Sequence, residues 1–440
     1  MKTVRFQSLI DEGVLQIGDG YRAKMEELTG TGYPFLRGDC LLDRDIRVDE
    51  SERFHESLAP KLAAKLSRAG DTVVTTKGNS TGRSAYVRDG LPTFVYSPHL
   101  SFWRSRDHTR LHPGFLREWA HSPEFIGQLN GMKDSTDMAP YLSLTDQRRL
   151  EISLPSPDQQ RAIAHVFGTL DDKIELNRRL NRTLEELATA LFRSWFVDFD
   201  PVVAKAAGRK TSHLSPQISA LFPTTFQDSL LGPIPHGWRV GGVSEISTIT
   251  GGGTPKTSVT EYWHGEIPWF SVVDTPAPGQ MFVLETEKTI TQRGLDESSA
   301  QLLPEGTCII TARGTVGNLA LVGRPMAMNQ SCYALIPKTA FSAPFVFFTM
   351  KNAVEELQRM AHGSVFDTIT RTTLESLSLS IGTPEILSAF GEIVSPWLAQ
   401  IKHNVRESGT LTALRDTLLP KLLSGELRVT QARKLMEVNA

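Results

Sequence analysis

Residues 163–195 read IAHVFGTLDDKIELNRRLNRTLEELATALFRSW, and 227 positions further on residues 390–422 read FGEIVSPWLAQIKHNVRESGTLTALRDTLLPKL. In the first stretch Ile163, Phe167, Leu170, Ile174, Asn177, Asn181, Leu184, Ala188, Leu191 and Trp195 recur at alternating spacings of three and four. In the second, Phe390, Val394, Trp397, Ile401, Asn404, Ser408, Leu411, Arg415, Leu418 and Leu422 stand at the same places, so an Asn falls under an Asn at 177 and 404. That spacing is one face of an α-helix. Two matching stripes predict two long equivalent helices that pair as a coiled coil, with Asn177 and Asn404 in the seam setting register. The plainer alternative is an amphipathic helix packed on its own domain.

The repeat extends upstream. Residues 70–87, GDTVVTTKGNSTGRSAYV, match residues 306–322, GTCIITARGTVGNLALV, with one gap, and Tyr33–Pro34–Phe35–Leu36 lies over Ile267–Pro268–Trp269–Phe270. In each copy a β-branched strand (Thr72–Thr75, Cys308–Thr311) ends at a basic residue, Lys77 or Arg313, followed by a loop of small residues. A short helical segment is expected near Phe115 to Leu129. Ser156–Pro157–Asp158–Gln159 supplies an N-cap, a Pro at the first helical position and a Gln for a capping box, and Thr383–Pro384–Glu385 repeats the start. The expected class is α/β (α+β), with a pseudo-two-fold tandem repeat. Its predicted parts are a globular domain at 1–153, a helix at 154–200, a polar and Pro-rich linker at 201–231, a second domain at 232–381, a second helix at 382–428 and a tail at 429–440.

The 440 residues suffice for two or three domains with cores of their own. Cys40, Cys308 and Cys332 form no CxxC pair and no disulfide framework, which points to a reducing compartment. The segment MKTVRFQSLIDEG has no signal-peptide core and no apolar run approaches membrane-spanning length, so the expectation is a cytoplasmic protein without membrane contact. Net charge is −2; residues 1–152 carry 21 basic against 21 acidic side chains and residues 232–380 carry 10 against 13. Nonspecific attraction to phosphate is therefore weak, and any nucleic-acid binding must use local basic faces.

Catalytic motifs are missing. Residues 78–84, GNSTGRS, lack the Lys of a phosphate loop and are one residue short of it, and Gly251–Gly252–Gly253 is no dinucleotide fingerprint. Asp198 and Asp200 have no third ligand beside them, and the eleven histidines form no HExxH pair, so no metal site is expected. Neither an NPPY-type methyltransferase tetrapeptide nor a helicase box with its Walker lysine is present. What remains is binding chemistry. Lys77, Asn79, Ser80, Thr81 and Arg83 in the first copy, and Lys256, Arg313, Thr315 and Asn318 in the second, offer donors and acceptors suited to phosphates and base edges. Arg104 and Arg106, in a basic cluster after Phe102–Trp103, have no counterpart in the second copy. A polar surface turn accounts for the same residues more simply.

Four segments then resemble one family, the specificity subunits of type I restriction-modification enzymes. They are residues 154–164 (LPSPDQQRAIA), 168–178 (GTLDDKIELNR), 191–201 (LFRSWFVDFDP) and 418–427 (LLPKLLSGEL), with a departure at Gln160, where many relatives carry Glu-Gln in place of this chain's Gln-Gln. The resemblance implies two target-recognition domains, each reading half of a bipartite, interrupted double-stranded DNA sequence. It implies that the helices pair antiparallel as a spacer and dock two methyltransferase subunits. It further implies a restriction and translocase subunit, with S-adenosylmethionine, ATP and Mg in those partners and no cofactor on this chain. If the helices are a ruler, inserting four residues near Glu185 and Thr412 should change the spacing of the half-sites. A DNA-processing enzyme and a coiled-coil adaptor without DNA contact are the competing classes.

Overall fold

The computed structural model describes residues 2–42, 44–48, 51–133, 141–211, 214–277, 279–361, 368–429 and 431–432. The chain divides into two compact units: unit one is Met1–Lys173 with Leu411–Ala440, and unit two is Ile174–Thr410.

Unit one is built on a four-stranded sheet in the order Leu15–Asp19, Leu100–Ser105, Thr72–Thr75, Ser84–Tyr86. All four residues of the β-branched strand Thr72–Thr75 are buried, because both neighbours pair with it and both faces are covered. One side of the sheet carries an aromatic cluster of Phe6, Trp103, Trp119 and Phe125, with ring centroids 5.2–5.8 Å apart. Its polar atoms are satisfied from within: Trp103 Nε1 and Ser101 Oγ both donate to Gln147 Oε1 at 2.8 Å. The strand Lys2–Arg5 pairs antiparallel with Glu151–Leu154, directly before the first long helix. The helical segment anticipated near 115–129 is two helices, Pro113–Trp119 and Pro123–Lys133.

Unit two repeats this plan with one more strand, in the order Ser247–Gly251, Cys332–Pro337, Cys308–Thr311, Leu319–Val322, Phe282–Val283. The correspondence holds at the level of single pairs. Val73 opposes Ala85 as Ile309 opposes Ala320, and Thr75 opposes Leu100 as Thr311 opposes Cys332. Phe35–Leu36 runs parallel to Val95–Tyr96, and Trp269–Phe270 runs parallel to Ala327–Met328. The stretch 201–231, anticipated as a linker, holds helices Asp200–Ala206 and Pro216–Leu221. Val202 and Phe222 are fully buried in the core of unit two, and Phe222 lies edge-on to Trp195 with centroids 5.0 Å apart.

The first long helix is Pro157–Phe196 and the second is Pro384–Ser424. Ser156 caps the first: Gln159 N donates to its Oγ at 3.4 Å, and its own N donates to Gln159 Oε1 at 3.2 Å. Within unit two the helices meet through polar seam residues. Asn404 Nδ2 donates to Asn181 Oδ1 at 2.8 Å, and Asn177 Nδ2 donates to Glu407 Oε2 at 2.7 Å and Ser408 Oγ at 3.3 Å. As one residue number rises by four the other falls by four, so the helices run antiparallel here. Asn177 and Asn404 are thus both in the seam and both 2% exposed, yet they do not pair with each other. The repeat offset of 227 exchanges the two contacts, Asn181 with Asn404 and Asn177 with Ser408.

Within unit one the seam is ionic. Arg415 Nη1 donates to Asp171 Oδ1 at 3.1 Å, and Asp171 Oδ2 also faces Arg44 at 3.5 Å and Arg117 at 3.7 Å. Glu118, fully buried, accepts from Arg44 at 2.9 Å and Arg117 at 2.5 Å. The repeat offset places Leu398 and Ala188 where Asp171 and Arg415 stand, and both are buried in the core of unit two. The helices at Pro113 and Ala343 begin at equivalent points, which sets Phe347 and Phe348 against Arg117 and Glu118. One copy mounts its sheet on buried charges and the other on aromatic side chains.

Candidate nucleic-acid interface

The basic residue of each copy leaves the sheet where three other segments converge. In unit one, Thr76 N donates to His99 O at 2.8 Å, Leu142 N to Thr76 O at 2.9 Å and Tyr21 N to Tyr96 O at 2.7 Å. In unit two the equivalent bonds are Ala312 N to Ser331 O at 2.8 Å, Ile369 N to Ala312 O at 3.0 Å and Gly253 N to Met328 O at 3.0 Å. Four segments from distant parts of the chain are therefore tied at the same end of each sheet by the same main-chain bonds. Rigid strands deliver loops whose exposed side chains are free to differ, which is how binding sites are commonly placed on a scaffold.

In unit one Lys77 and Asn79 are exposed and Ser80 is half-buried. Thr81 is 5% exposed and its hydroxyl donates to Gly78 O at 2.7 Å, so it shapes the turn instead of facing outward. Gly82 closes that turn at φ +93°, and a Cβ there would meet Leu129 Cδ2 at 2.0 Å, so only glycine fits. Arg83 is exposed, with Nη1 donating to Leu41 O at 3.2 Å. In unit two Lys256, Arg313, Thr315 and Asn318 are all exposed. Thr311 Oγ1 accepts from Asn318 N at 3.0 Å and donates to Thr315 O, folding the loop around Arg313.

Arg104 is a correction to the sequence reading. Its guanidinium lies in the interior, with Nε 2.6 Å from Asp71 Oδ1 and Nη2 2.6 Å from Asp71 Oδ2, and Nη2 also donates to Leu66 O at 3.1 Å. It packs over the Phe102 ring at 4.7 Å, and Tyr96 Oη donates to the same carboxylate at 2.7 Å. A side chain 9% exposed and held bidentate by a fully buried aspartate supports the fold and offers nothing to DNA. Burial and the adjacent Asp71 push the Tyr96 hydroxyl well above its ordinary value, keeping it a neutral donor. Arg106 is exposed, but it follows the far end of the strand Leu100–Ser105. Leu100 pairs beside Lys77's strand and Ser105 pairs with Leu15, about 17 Å apart at roughly 3.3 Å per residue. Lys77 and Arg106 therefore leave the sheet at opposite ends.

The sequence reading also missed the segments that converge on Lys77 and Arg313. The signal was a glycine in each copy. A Cβ on Gly20 would lie 1.9 Å from Ser97 O, and a Cβ on Gly252 would lie 1.9 Å from Asn329 O. Among the described residues no cluster of three or more His, Cys, Asp or Glu could hold a metal ion, and Asp198 is paired with Arg193 at 3.0 Å. No helix among them is long and apolar enough to cross a membrane.

Residues 235–404 match the type I restriction modification DNA specificity domain. The chain is 26% identical over 410 residues to the type I restriction enzyme HindI specificity subunit of Haemophilus influenzae, covering 84% of this chain and 89% of that one. It is 29% identical over 180 residues to the MjaIX specificity subunit of Methanocaldococcus jannaschii, covering 39% and 42%. The S subunit of a type I restriction-modification system from M. genitalium shares the fold, with a TM-score of 0.56 at 15% identity over 96% of this chain and 95% of that one. Over most of its length the chain is therefore similar to a type I restriction enzyme specificity subunit, and residues 235–404 match the DNA specificity domain of that family.

Proposed function

We propose that this chain is the sequence-reading subunit of a type I restriction-modification complex, each sheet-and-loop domain reading one half of a bipartite double-stranded DNA target. The observation that carries this is the repeated convergence of four segments at one sheet end, each presenting exposed basic and amide or hydroxyl side chains around Lys77 or Arg313. Lys77 and Arg313 supply charge to the backbone of the duplex, and the neighbouring polar side chains address base edges. The long helices set the distance between the half-sites and dock two methyltransferase subunits. Methylation and cleavage belong to partner subunits, which bring S-adenosylmethionine, ATP and Mg; the chain itself binds no cofactor. The complex works in the cytoplasm, where its DNA is. The near-neutral chain then relies on the assembled complex for much of its hold on phosphate.

The test is a gel shift of the assembled complex at fixed salt, with targets altered in one half-site at a time. Lys77→Ala and Arg313→Ala should each weaken binding through a single domain and lower the salt slope by roughly one. Affinity and salt slope unchanged in both variants would remove these residues from the interface.

A further inference from the structure

Two of the converging segments carry the same backbone contacts in both units and different chemistry at one exposed place. Gly20 and Gly252 press against the carbonyls of Ser97 and Asn329 in the same way, and the next residues, Tyr21 and Gly253, each donate a main-chain bond across to the residue preceding that carbonyl, Tyr96 or Met328. The chain then presents Arg22 in unit one and Thr254 in unit two, while the adjoining loop presents Pro98 and Gln330 one residue after Ser97 and Asn329. Arg22 is exposed and makes no hydrogen bond or ion pair among the described residues. Gln330 is exposed too, and Thr254 Oγ1 donates to its Oε1. That bond leaves the amide N–H groups and one lone pair of Oε1 for a ligand. The residues after Pro98 and Gln330, His99 and Ser331, accept the main-chain bonds from Thr76 and Ala312, the residues before Lys77 and Arg313.

We infer that this paired position selects a base in each half-site, an inference that rests on the DNA-reading function above. An amide offers one donor and one acceptor side by side, the complement of adenine N7 and its N6 amino group, whereas a guanidinium offers two donors that match guanine O6 and N7. Gln330 therefore reads adenine in the half-site of unit two, with Thr254 as its positioning residue. Arg22 reads guanine in the half-site of unit one, where Pro98 leaves it unopposed. Lys77 and Arg313 hold the backbone beside them.

The experiment is methylome sequencing of cells carrying the complete complex with single variants of this chain. Gln330→Ala is expected to lose about tenfold or more discrimination at one A·T pair of one half-site. Thr254→Val should relax that same position and Thr254→Ser should restore it, which loss of folding would not do. Arg22→Ala should relax one G·C pair in the other half-site. In each case the opposite half-site remains read as before and so reports an intact complex. Motifs unchanged at every position, or a position relaxed by Gln330→Ala that carries no A·T pair, would overturn the assignment. A wild-type complex that marks no bipartite sequence overturns the DNA-reading function itself, and this inference with it.

Discussion

Arg104 and Lys77 are both basic residues near a strand end, and their surroundings give them opposite roles. Arg104 neutralises Asp71 in the interior, where neither charge has water to fall back on. Asp71→Ala should therefore cost about 3–5 kcal/mol of stability, because it strands a buried guanidinium. Lys77 bridges Tyr141 through its main chain, but its exposed side chain makes no hydrogen bond or ion pair among the described residues. Lys77→Ala should leave stability within about 0.5 kcal/mol while weakening DNA binding. Urea unfolding of the two variants separates the cases; equal destabilisation would contradict the assignment. The distinction was not legible beforehand, because the partner of Arg104 lies 33 residues away and only the pairing of Val73 with Phe102 brings them together.

The long helices were the most legible elements, since an apolar side chain every three to four residues has one structural explanation over 30 positions. Their cross-partners were not legible. Matching copies equates Asn177 with Asn404, but antiparallel stagger sets Asn404 against Asn181. Asn404→Leu alone should cost about 1–3 kcal/mol, because it leaves the buried Asn181 amide without its donor, whereas Asn181→Leu with Asn404→Leu should recover most of that loss. A double-mutant cycle on thermal or urea unfolding measures the coupling, and strictly additive losses would argue against it. The ionic mount of unit one predicts a pH effect. Burial by itself would push the Glu118 carboxyl up, but Arg117 and Arg44 outweigh it and hold the group below its ordinary value of 4.5. A carboxyl depressed in the folded state stabilises above its unfolded value and loses that contribution as pH falls. Hydrogen exchange, corrected for intrinsic rates, should show unit one opening more readily as pH drops below about 4.5. Unit two, with Phe347, Phe348, Ala188 and Leu398 at the equivalent places, should show no matching change.

For the whole molecule, the seam decides where a spacer can be lengthened. In the Asn177–Ser408 and Asn181–Asn404 contacts of unit two the residue numbers total 585, and on that pairing only Arg179 and Arg406 are at once opposite each other and equivalent in the repeat. Glu185 and Thr412, the points suggested by the repeat offset, are equivalent but not opposite, and insertion there would shift the outer halves of the seam out of register. Four residues inserted at both Arg179 and Arg406 add about 6 Å to each helix. The assembled complex should then prefer a longer gap between half-sites in methylome sequencing, while insertions at Glu185 and Thr412 should abolish assembly. An unchanged gap from a complex that still assembles would refute the spacer role.

The sequence by itself determined the duplication, the two long helices, the strand ending at a basic residue in each copy and the want of catalytic motifs. Those features are written in local periodicity and in self-similarity, which need no knowledge of distant contacts. Only the tertiary structure decided that Arg104 is interior, that Asn404 meets Asn181, and that Arg22 and the Thr254–Gln330 pair stand beside the basic loops. Each of these depends on which segments, tens to hundreds of residues apart, are brought together. That is set by strand order and helix stagger, and so by the packing of the whole core.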